Sequence, residues 1–312
     1  MMKEYDLVAI GDINVDTIVI VPKLPESDEE IRVLSLSESI GGDAANVAVG
    51  FALLGGRSLL LGAIGEDLAG RKAVDFFVTK NVDTCRIISV PGSSTGRVIS
   101  IVDADGQRRM LHWRGANAER LLTEEDLRVL KNSSVIYIAD PLPSTVRVLR
   151  DWYSSNALSV PLVMDPGAGG VAGGMDFLGT LLQFTDILFL NRLEAQRLTG
   201  EENIMAAGTA LAKLCPLVVI KLGGNGSVAF WQGKYVYAPA FKVQPLDSTG
   251  CGDAFNAAFL FQWLQGQDLE TALKWGNAAG ATVVQKMGAQ MPTLDEVLSL
   301  LERGTCAAGE DF

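Results

Sequence analysis

The chain has 312 residues, of which 48% are hydrophobic and 20% charged, and its formal net charge at pH 7 is −11. This composition is typical of a folded globular protein and argues against disorder. An acidic surface repels the phosphates of nucleic acid, so we expect no nucleic-acid partner. The length accommodates one large α/β domain with a small appendage.

The few cysteines and the single histidine restrict the chemistry further. Cys85, Cys215, Cys251 and Cys306 lack CxxC spacing, which disfavours a zinc site and predicts reduced thiols. Because His112 is the only histidine, mechanisms that need two histidines are excluded, and no GxSxG motif is present. These patterns favour carboxylate and backbone chemistry.

Membrane insertion and secretion are not expected. The longest apolar runs, such as 58–64 and 217–220, are too short to span a bilayer. Residues 1–6 have no apolar segment before their charges, so no signal peptide is predicted. We therefore expect a cytoplasmic protein.

The first third of the chain predicts short strands and two helices. A buried strand, a looser strand ended by Pro22 and Pro25, and two helices after glycine or polar turns are expected. Residues 103–106 predict the turn of a β-hairpin. The predicted strands are 5–10, 15–21, 58–64, 96–102 and 108–112, and the helices are 44–54 and 68–80.

After residue 135, strands and helices alternate. The predicted strands are 135–139, 161–164, 187–190 and 217–221, and the helices are 144–153, 194–199, 205–214, 252–265, 269–286 and 294–301. Alternation predicts a doubly wound parallel sheet with helices on both faces, which binds ligands at the carboxyl ends of its strands. Unusual residues cluster at those ends: Asp12, Asp140, Asp165, Asn191 and Gly223.

The most informative stretch is DSTGCGDAF at 247–255, which opens an apolar helix. Gly250 and Gly252 allow a ligand to approach the backbone, and the helix start offers free N–H groups that bind an anion. A carboxylate at Asp253 would repel phosphate, so it suits a base for a hydroxyl that attacks a phosphoryl group. The alternative is a helix cap with a tight turn.

Three further stretches are less specific on their own. Gly41 and Gly42 precede a helix that carries Asn46, which suits either a polar ligand or close packing. Asn191 and Glu194 could hold hydrated Mg²⁺, although the residues favour a capping box. The glycine-rich turn at 221–227 could pass beneath a nucleotide or form a plain hairpin. Neither a P-loop nor a dinucleotide-binding GxGxxG motif is present.

Taken together and in this order, the motifs resemble the ribokinase-like family, the pfkB carbohydrate kinases. The resemblance runs from about residue 5 to residue 301. It rests on GGDAANVA at 41–48 and DSTGCGDAF at 247–255, with GDINVD at 11–16 and RGANAERLLTEEDL at 114–127. It implies a three-layer α/β kinase domain over 1–304, with a small β-sheet lid from about 12–40 and 92–114 and a tail at 305–312. It also implies a homodimer formed through the lid.

The resemblance implies an ATP-dependent kinase that uses Mg²⁺, with Asp253 as the base. The N–H groups of Gly250, Cys251 and Gly252 would form the anion hole. The acceptor would contact Asp12, Asn14, Asp16, Gly41, Gly42, Asn46 and Asp140. The nucleotide would contact Asn191, Lys221, Gly223, Gly224, Gly226 and Asn277. Asn191 and Glu194 would position Mg²⁺ through water. A monovalent-cation loop, for K⁺, would comprise Asp247 and the backbone carbonyls near Thr249, Val283, Lys286 and Gly288.

Two departures from the family pattern affect the substrate and the cation. Asp43 occupies a position where ribokinases proper often carry Lys, which weakens ribose as the acceptor. Pro292 follows Gln290 and Met291, where some relatives place a hydroxyl residue, so potassium dependence stays open.

The acceptor itself also stays open: a sugar, a sugar phosphate, a sugar acid, inositol or a nucleoside. Four arginines of the lid region could hold an anionic acceptor or simply face water. They are Arg97, Arg108, Arg109 and Arg114. His112 and Trp113 could form a shelf for a nucleoside base. Two alternatives remain, a nucleoside kinase of the same family and a non-catalytic regulator that binds a sugar or nucleotide.

Overall fold

Two β-sheets organise the computed structural model, which describes residues 3–105 and 107–306. The described strands are β1 (Tyr5–Ile10), β2 (Asn14–Ile20), β3 (Ser35–Gly41), β4 (Ser58–Gly65), β5 (Val82–Asp83), β6 (Ile87–Val90), β7 (Gly96–Val102), β8 (Arg108–Trp113), β9 (Ser133–Ala139), β10 (Leu162–Asp165), β11 (Ile187–Asn191), β12 (Leu217–Lys221), β13 (Ser227–Trp231) and β14 (Lys234–Ala238).

Helices lie between and after these strands. They are α1 (Asp43–Leu53), α2 (Leu68–Thr79), α3 (Glu124–Lys131), α4 (Pro143–Ser154), α5 (Gly167–Leu182), α6 (Arg192–Thr199), α7 (Ile204–Leu211), α8 (Cys251–Leu264), α9 (Leu269–Val283) and α10 (Leu294–Arg303). Short 3-10 turns occur at Gly115–Glu119 and Gly223–Asn225. Among the described residues no helix is both long and apolar enough to cross a bilayer.

The central sheet has the order β14-β13-β12-β11-β10-β9-β1-β4-β5, and β6 also pairs with β4. All pairs from β12 to β5 are parallel, while β13 and β14 form an antiparallel hairpin at the edge. Helices cover both faces, which is why parallel strands such as β4 are buried along their whole length. The predicted three-layer α/β fold is confirmed, with the addition that the sheet is mixed.

Each face of the sheet carries its own apolar core. On one face α1, α2, α8, α9 and α10 pack through residues such as Phe51 and Phe259, both essentially without exposed area. On the other face α3 to α7 pack through residues such as Leu149 and Leu188. Phe259 meets Phe189 edge to face, with 5.3 Å between ring centroids. These contacts hold the helix starts fixed at the carboxyl edge of the sheet.

The second sheet, called here the small sheet, has the order β3-β2-β7-β8. Strands β2 and β7 are parallel, whereas β3 and β8 pair antiparallel with their neighbours. Because side chains alternate along a strand, Arg108, Met110 and His112 lie on one face of β8, and Leu111 and Trp113 lie on the other. His112 reaches the carboxyl edge of the central sheet, so the face of β8 that carries Arg108, Met110 and His112 is turned toward that edge.

Sequence reasoning identified most elements and missed several. It did not predict β3, α3 or α5. Helix α5 begins with a run of glycines and contains Gly174 at φ +65°. Its intrinsic helix propensity is therefore low, and packing against its neighbours stabilises the helix. The helix predicted for 269–286 ends at Val283 because the Val284 carbonyl accepts hydrogen bonds from Leu246 and Asp247. Gly106 of the predicted turn and residues 307–312 of the predicted tail lie outside the described residues.

Candidate active site

The start of helix α8 forms the centre of the site. Gly250, its N-cap, has φ +76°, and a Cβ there would lie 2.6 Å from the Cβ of Ala289. The backbone at this point therefore requires glycine. The N–H of Cys251 makes a long bond of 3.3 Å to the Ser248 carbonyl. The N–H groups at a helix start lack carbonyl partners in a preceding turn, so the turn that begins at Gly252 can bind an anion.

Asp253 lies in the first turn of α8 and is buried. Its Oδ2 accepts a hydrogen bond of 2.8 Å from Asn46 Nδ2 on helix α1. Burial raises the pKa of Asp253 to about 7, against the effects of the Asn46 hydrogen bond and of Lys221, and Asp165 and Asp16 add to the rise. A carboxyl that gains and loses its proton near neutral pH is suited to general-base chemistry.

A buried polar network lies beneath this helix start. Lys221 Nζ contacts Asp165 Oδ2 at 2.8 Å and Asn256 Oδ1 at 3.3 Å. The amide of Asn256 donates to Asp165 Oδ2 at 2.7 Å and to the hydroxyl of Tyr137 at 3.0 Å. Burial opposes the charge on Lys221, but Asp165 and Glu194 raise its pKa.

The Lys221 ammonium also lies beside the anion-binding turn, because a Cβ on Gly252 would be 3.4 Å from its Nζ. The network therefore places a permanent positive charge under the helix start. Its position fits a group that neutralises a bound phosphate.

On the acceptor side, Arg114 bridges two carboxylates. Its Nη1 contacts Asp12 Oδ1 at 3.2 Å, and its Nη2 pairs with Asp140 Oδ2. His112 Nε2 lies 3.5 Å from Asp12 Oδ2. Asp12 Oδ2 and Asp140 Oδ1 are buried and accept no hydrogen bond within the described residues. These two oxygens are therefore available to a hydroxyl of a bound ligand.

Asn117 fixes the chain between β1 and β2. Its Oδ1 accepts from the N–H of Ile13 at 2.9 Å, and its Nδ2 donates to the Ile13 carbonyl and to Asn14 Oδ1, each at 3.0 Å. Both the backbone of this turn and the Asn14 side chain are therefore held in one position. Asn117 is buried and occurs in the 114–127 stretch that resembled the family, but no role was predicted for it.

The two glycines before α1 allow the chain to pass against these carboxylates. A Cβ on Gly41 would lie 2.1 Å from Asp16 Oδ2. Gly42 has φ +111°, and a Cβ there would lie 2.1 Å from the Asp12 carbonyl. Burial raises the pKa of Asp16 to about 6, with His112 acting in the opposite direction.

Asp43 adds another negative charge at the start of α1. Its side chain is solvent-accessible, and the neighbouring Asp253 carboxylate is the main reason that its pKa lies well above the ordinary value. The region around the helix starts is thus strongly acidic before any ligand binds.

Asn191 and Glu194 form the capping box of α6, which the sequence favoured. Asn191 Oδ1 accepts from the Glu194 N–H at 2.9 Å, and Glu194 Oε2 accepts from the Asn191 N–H at 2.8 Å. Burial and the Asp165 carboxylate raise the pKa of Glu194. The carboxylates of Glu194 and Asp165 thus lie close together at this edge, and their oxygens could accept further bonds. Such a pair suits a hydrated divalent cation such as Mg²⁺.

The glycine-rich turn after β12 is open on one side. A Cβ on Gly223 or Gly224 would meet no atom within 4 Å, whereas one on Gly226 would lie 2.1 Å from the Ala238 carbonyl. Asn277 lies behind this turn, because its amide bonds the Ala238 carbonyl against which Gly226 packs. It is buried, and its Nδ2 donates to the carbonyls of Ala238 at 3.0 Å and Pro239 at 3.1 Å. The structure thus gives Asn277 a role in joining α9 to the end of β14.

The predicted cation loop is assembled around Asp247. Asp247 Oδ1 accepts from the N–H and hydroxyl of Thr249 at 2.9 and 2.7 Å, and its Oδ2 accepts from the Gly288 N–H at 2.8 Å. Burial opposes this ionised state, but these hydrogen bonds lower the pKa of Asp247. The Lys286 side chain pairs with Glu296 Oε1 at 2.6 Å, which leaves only its backbone carbonyl for a cation. The structure brings Asp247, Thr249 and Gly288 together.

Sequence reasoning missed the residues that support the site from below. Asn256 and Tyr137 were not selected, and Asp165 was noted only as a residue at a strand end. One signal was present: Asn256 follows Asp253 by three positions in an otherwise apolar helix, so the two share a face. Tyr137 gave no signal, because a tyrosine inside a buried strand is ordinary.

Comparison with known proteins agrees with this geometry. Residues 5–296 match the family described as pfkB family carbohydrate kinase. An ATP-dependent ribose-1-phosphate kinase from Halopiger xanaduensis is 32% identical over 297 residues, which are 95% of this chain and 97% of that protein.

Solved structures show the same likeness. Arabidopsis thaliana ribokinase complexed with ribose and ATP has a TM-score of 0.83 at 30% identity, covering 97% of this chain and 99% of that one. The nucleoside kinase of Methanocaldococcus jannaschii has a TM-score of 0.84 at 25% identity, covering 97% and 100%.

A three-layer α/β core that carries an anion-binding helix start beside a buried carboxylate defines a class of small-molecule kinases, and the relatives are sugar and nucleoside kinases. The chain belongs to the pfkB family of carbohydrate kinases. The resemblance inferred from the motifs is thereby confirmed.

The buried pair Lys221–Asp165 yields a stability prediction. We expect Lys221→Met to lower the free energy of unfolding by about 3–5 kcal/mol, because Asp165 keeps a buried charge without its partner. Lys23→Met is the control, since Lys23 pairs with Glu29 at 2.6 Å on the surface, where such a pair contributes at most about 1 kcal/mol. Urea denaturation of both variants at neutral pH measures the difference. Equal losses would contradict a supporting role for the buried pair.

Proposed function

We propose that the protein transfers the terminal phosphoryl group of ATP to a hydroxyl of a small, uncharged sugar or sugar-like acceptor. The observation that carries this proposal is the buried carboxylate of Asp253 in the first turn of α8, directly beside backbone N–H groups that can bind an anion. A site that only held phosphate would gain nothing from a carboxylate there, since like charges repel.

In the proposed reaction, Asp253 takes the proton of the acceptor hydroxyl as the acceptor oxygen attacks the γ-phosphorus of ATP, and the bond from that phosphorus to ADP breaks. Asn46 orients the Asp253 carboxylate through its hydrogen bond. The N–H groups of Gly250, Cys251 and Gly252 hold the charge that develops on the phosphoryl oxygens, and the weak Cys251 bond to Ser248 is exchanged for one to the ligand. Lys221 supplies positive charge from below.

We propose that ATP lies over the open turn at Gly223 and Gly224, where the absence of side chains leaves room for it. Lys221 and Gly226 lie at the edges of this surface, and Asn277 of α9 lies beside it. Mg²⁺, held through water by Asn191 and Glu194, would neutralise charge on the phosphates. The relative from Arabidopsis thaliana was solved with ATP, which supports this donor.

We propose that a monovalent cation, K⁺ being the candidate, acts through the loop around Asp247. Its carboxylate joins 247–249 to Gly288, so the two segments are held against each other. The ligands would be Asp247 with backbone carbonyls near Thr249, Val283, Lys286 and Gly288. Since Thr249 precedes the anion-binding turn, a bound cation would set the position of that turn.

An uncharged acceptor fits the pocket better than an anionic one. The guanidinium of Arg114 is already neutralised by Asp12 and Asp140. Asp16 and Asp43 add further negative charge. Carboxylate and amide groups of Asp12, Asn14, Asp16, Asn46 and Asp140 suit several hydroxyls. Named relatives act on ribose 1-phosphate, ribose and nucleosides, so the sugar hydroxyls are the shared feature.

The function is tested by measuring ADP release from Mg·ATP with a panel of sugars, sugar phosphates, sugar acids, inositol and nucleosides. We expect turnover with an uncharged polyol or sugar. We expect Asp253→Asn to lower kcat by roughly 10²–10⁴-fold with the fold retained, since that is the usual contribution of a general base. Ligand binding without any turnover would indicate a non-catalytic sugar- or nucleotide-binding regulator instead. Full activity of Asp253→Asn would exclude this residue as the base.

The pKa of Asp253 predicts a dependence on pH. Because burial raises this pKa to about 7, the base is protonated and inactive below neutral pH. We expect kcat/KM to fall by about tenfold per pH unit below 7 and to level off above it. Below pH 6 the fall steepens as Asp16, whose pKa is about 6, gains a proton. Asp16→Asn is the control, because it removes the steeper part, while the limb due to Asp253 remains and moves slightly to lower pH without the Asp16 charge. A profile that is flat through neutrality would contradict Asp253 as the titrating base.

We further propose that the small sheet is a lid over the acceptor and the site of homodimer formation. Its face turned away from the site exposes Leu36, Ile99, Leu111 and Trp113, an apolar row that water would disfavour. The strand register places these four residues on the same face of the sheet. A second copy of the same sheet would cover them.

Light scattering tests the dimer. We expect the wild-type chain to have twice the mass of 33.3 kDa, and Leu111→Glu to shift it toward a monomer, because the charge would be buried at the interface. Val78→Glu is the matched control, since Val78 on α2 is 57% exposed, close to the 60% of Leu111. A monomeric wild type, or equal behaviour of the two variants, would contradict the proposed interface.

A further inference from the structure

The only histidine of the chain lies between two carboxylates at the carboxyl edge of the central sheet. His112 projects from β8 of the small sheet, and its Nε2 is 3.5 Å from Oδ2 of Asp12, which follows β1. Asp140, directly after β9, completes the group, because one ligand atom from each of the three residues lies within 4.8 Å of the others. Asp12, His112 and Asp140 are called here the His112 cluster.

Asp12 shows that this cluster lacks a partner. The residue is only 9% exposed, and its Oδ2 is buried and accepts no hydrogen bond from any described residue. The His112 Nε2, at 3.5 Å, is too far away for a good hydrogen bond. A buried carboxylate oxygen without a donor or a cation is costly. The side of Asp12 that faces His112 is therefore suited to a ligand that accepts electron pairs.

Arg114 orients the two carboxylates without satisfying them. Its guanidinium contacts Asp12 Oδ1 at 3.2 Å and pairs with Asp140. The Gly170 N–H of α5 lies near Asp140 but is bonded to the Pro166 carbonyl at 3.0 Å. Burial raises the pKa of Asp140, Arg114 opposes the rise, and the Asp12 carboxylate adds to it. Two carboxylates against one guanidinium leave negative charge that a further cation would offset.

The donor atoms of the cluster indicate which cation fits. An imidazole nitrogen suits ions such as Zn²⁺, whereas Mg²⁺ takes oxygen ligands. Ligand bonds of Zn²⁺ are about 2.0–2.2 Å long, so two ligands of a tetrahedral ion lie about 3.4 Å apart. His112 and Asp12 already have this spacing, and rotation about the soft χ2 torsion of Asp140 would bring its carboxylate to the ion. The His112 side chain is 37% exposed, which gives an ion access from solvent.

We propose that Asp12, His112 and Asp140 bind a transition-metal dication of the Zn²⁺ class, which ties the small sheet to the central sheet and excludes the acceptor. The ion takes carboxylate oxygens that acceptor hydroxyls would otherwise use. Its site is separate from the proposed Mg²⁺ site, because Asn191 ends β11, two strands away from β9. The competition with the acceptor rests on the proposed kinase function, whereas metal binding does not.

Metal binding is measured first, on the chain without a polyhistidine tag and without nucleotide or acceptor. Because the chain has one histidine, its imidazole C–H signals in proton NMR report this site alone. We expect one equivalent of Zn²⁺ to shift these signals and Co²⁺ to broaden them. By titration calorimetry, His112→Gln and Asp12→Asn should each weaken Zn²⁺ binding by at least about 100-fold, since loss of a merely supporting residue already costs about 10–100-fold.

The control removes the other exposed soft ligands, Cys85 and Cys306. The double variant Cys85→Ser, Cys306→Ser should bind Zn²⁺ at the His112 cluster as tightly as the wild type. Imidazole signals that Zn²⁺ does not move would overturn the proposal. Equal Zn²⁺ affinities of the wild type and of both His112→Gln and Asp12→Asn, in variants that melt like the wild type, would also overturn it.

Kinetics then test the competition. With Mg·ATP and the best acceptor of the panel, we expect Zn²⁺ to raise the acceptor KM of the wild type at unchanged kcat, and His112→Gln to lose this response. A rise in the KM for ATP instead, equal in both proteins, would place the ion with the nucleotide and overturn the competition. If the wild type phosphorylates no acceptor, the kinase function fails, while NMR and calorimetry still decide the metal site.

Discussion

The hydrogen bond between Asn46 and Asp253 is the contact on which the site depends. It joins the first turns of α1 and α8, two helices that pack on the same face of the central sheet. A buried carboxylate without a partner would be costly, and an amide that donates to it is the least disruptive way to keep it there. Because Asn46 bonds only Oδ2, the other carboxylate oxygen is left for the role of base that we propose. The glycines before both helices allow this approach of the two helix starts. A side chain at Gly42 would collide with the Asp12 carbonyl, and one at Gly250 would collide with Ala289.

The chemistry of the site is set by crowding of like charges as much as by any single residue. The carboxylates of Asp16, Asp43 and Asp253 lie close together at the carboxyl edge of the sheet. Burial raises the pKa of Asp16 and of Asp253, and the Asp253 carboxylate raises the pKa of Asp43. Two cations beneath and beside them, Lys221 and Arg114, are held in place by pairs with Asp165, Asp12 and Asp140. In the proposed function, this arrangement favours an uncharged, hydrogen-bonding ligand in the acceptor region and an anionic ligand at the helix start.

Much of this architecture could be predicted from sequence, because its signals are local. Alternation of strands and helices fixes the layers, and the two glycine motifs mark both helix starts. Helix α5 could not be predicted, since a glycine-rich segment folds as a helix only when neighbours pack against it. The capping box at Asn191 and Glu194 was favoured on local grounds and is present. The network of Lys221, Asp165 and Asn256 joins three segments that are distant in sequence, so no local sequence pattern predicts it. Roles of individual residues toward ligands are proposals, because they depend on groups that the sequence does not encode.

One consequence of the topology concerns synthesis of the chain. Strand β1 lies in the middle of the central sheet and pairs with β4 and β9. The first strand to be synthesised therefore pairs only with strands that are synthesised later. Asn46 and Asp253 are 207 positions apart, and nearly the whole chain must leave the ribosome before they can meet. Contacts of such long sequence separation form slowly, and the incomplete chain exposes an apolar strand in the meantime. The proposed base, Asp253, can therefore take its place beside Asn46 only after translation is almost finished.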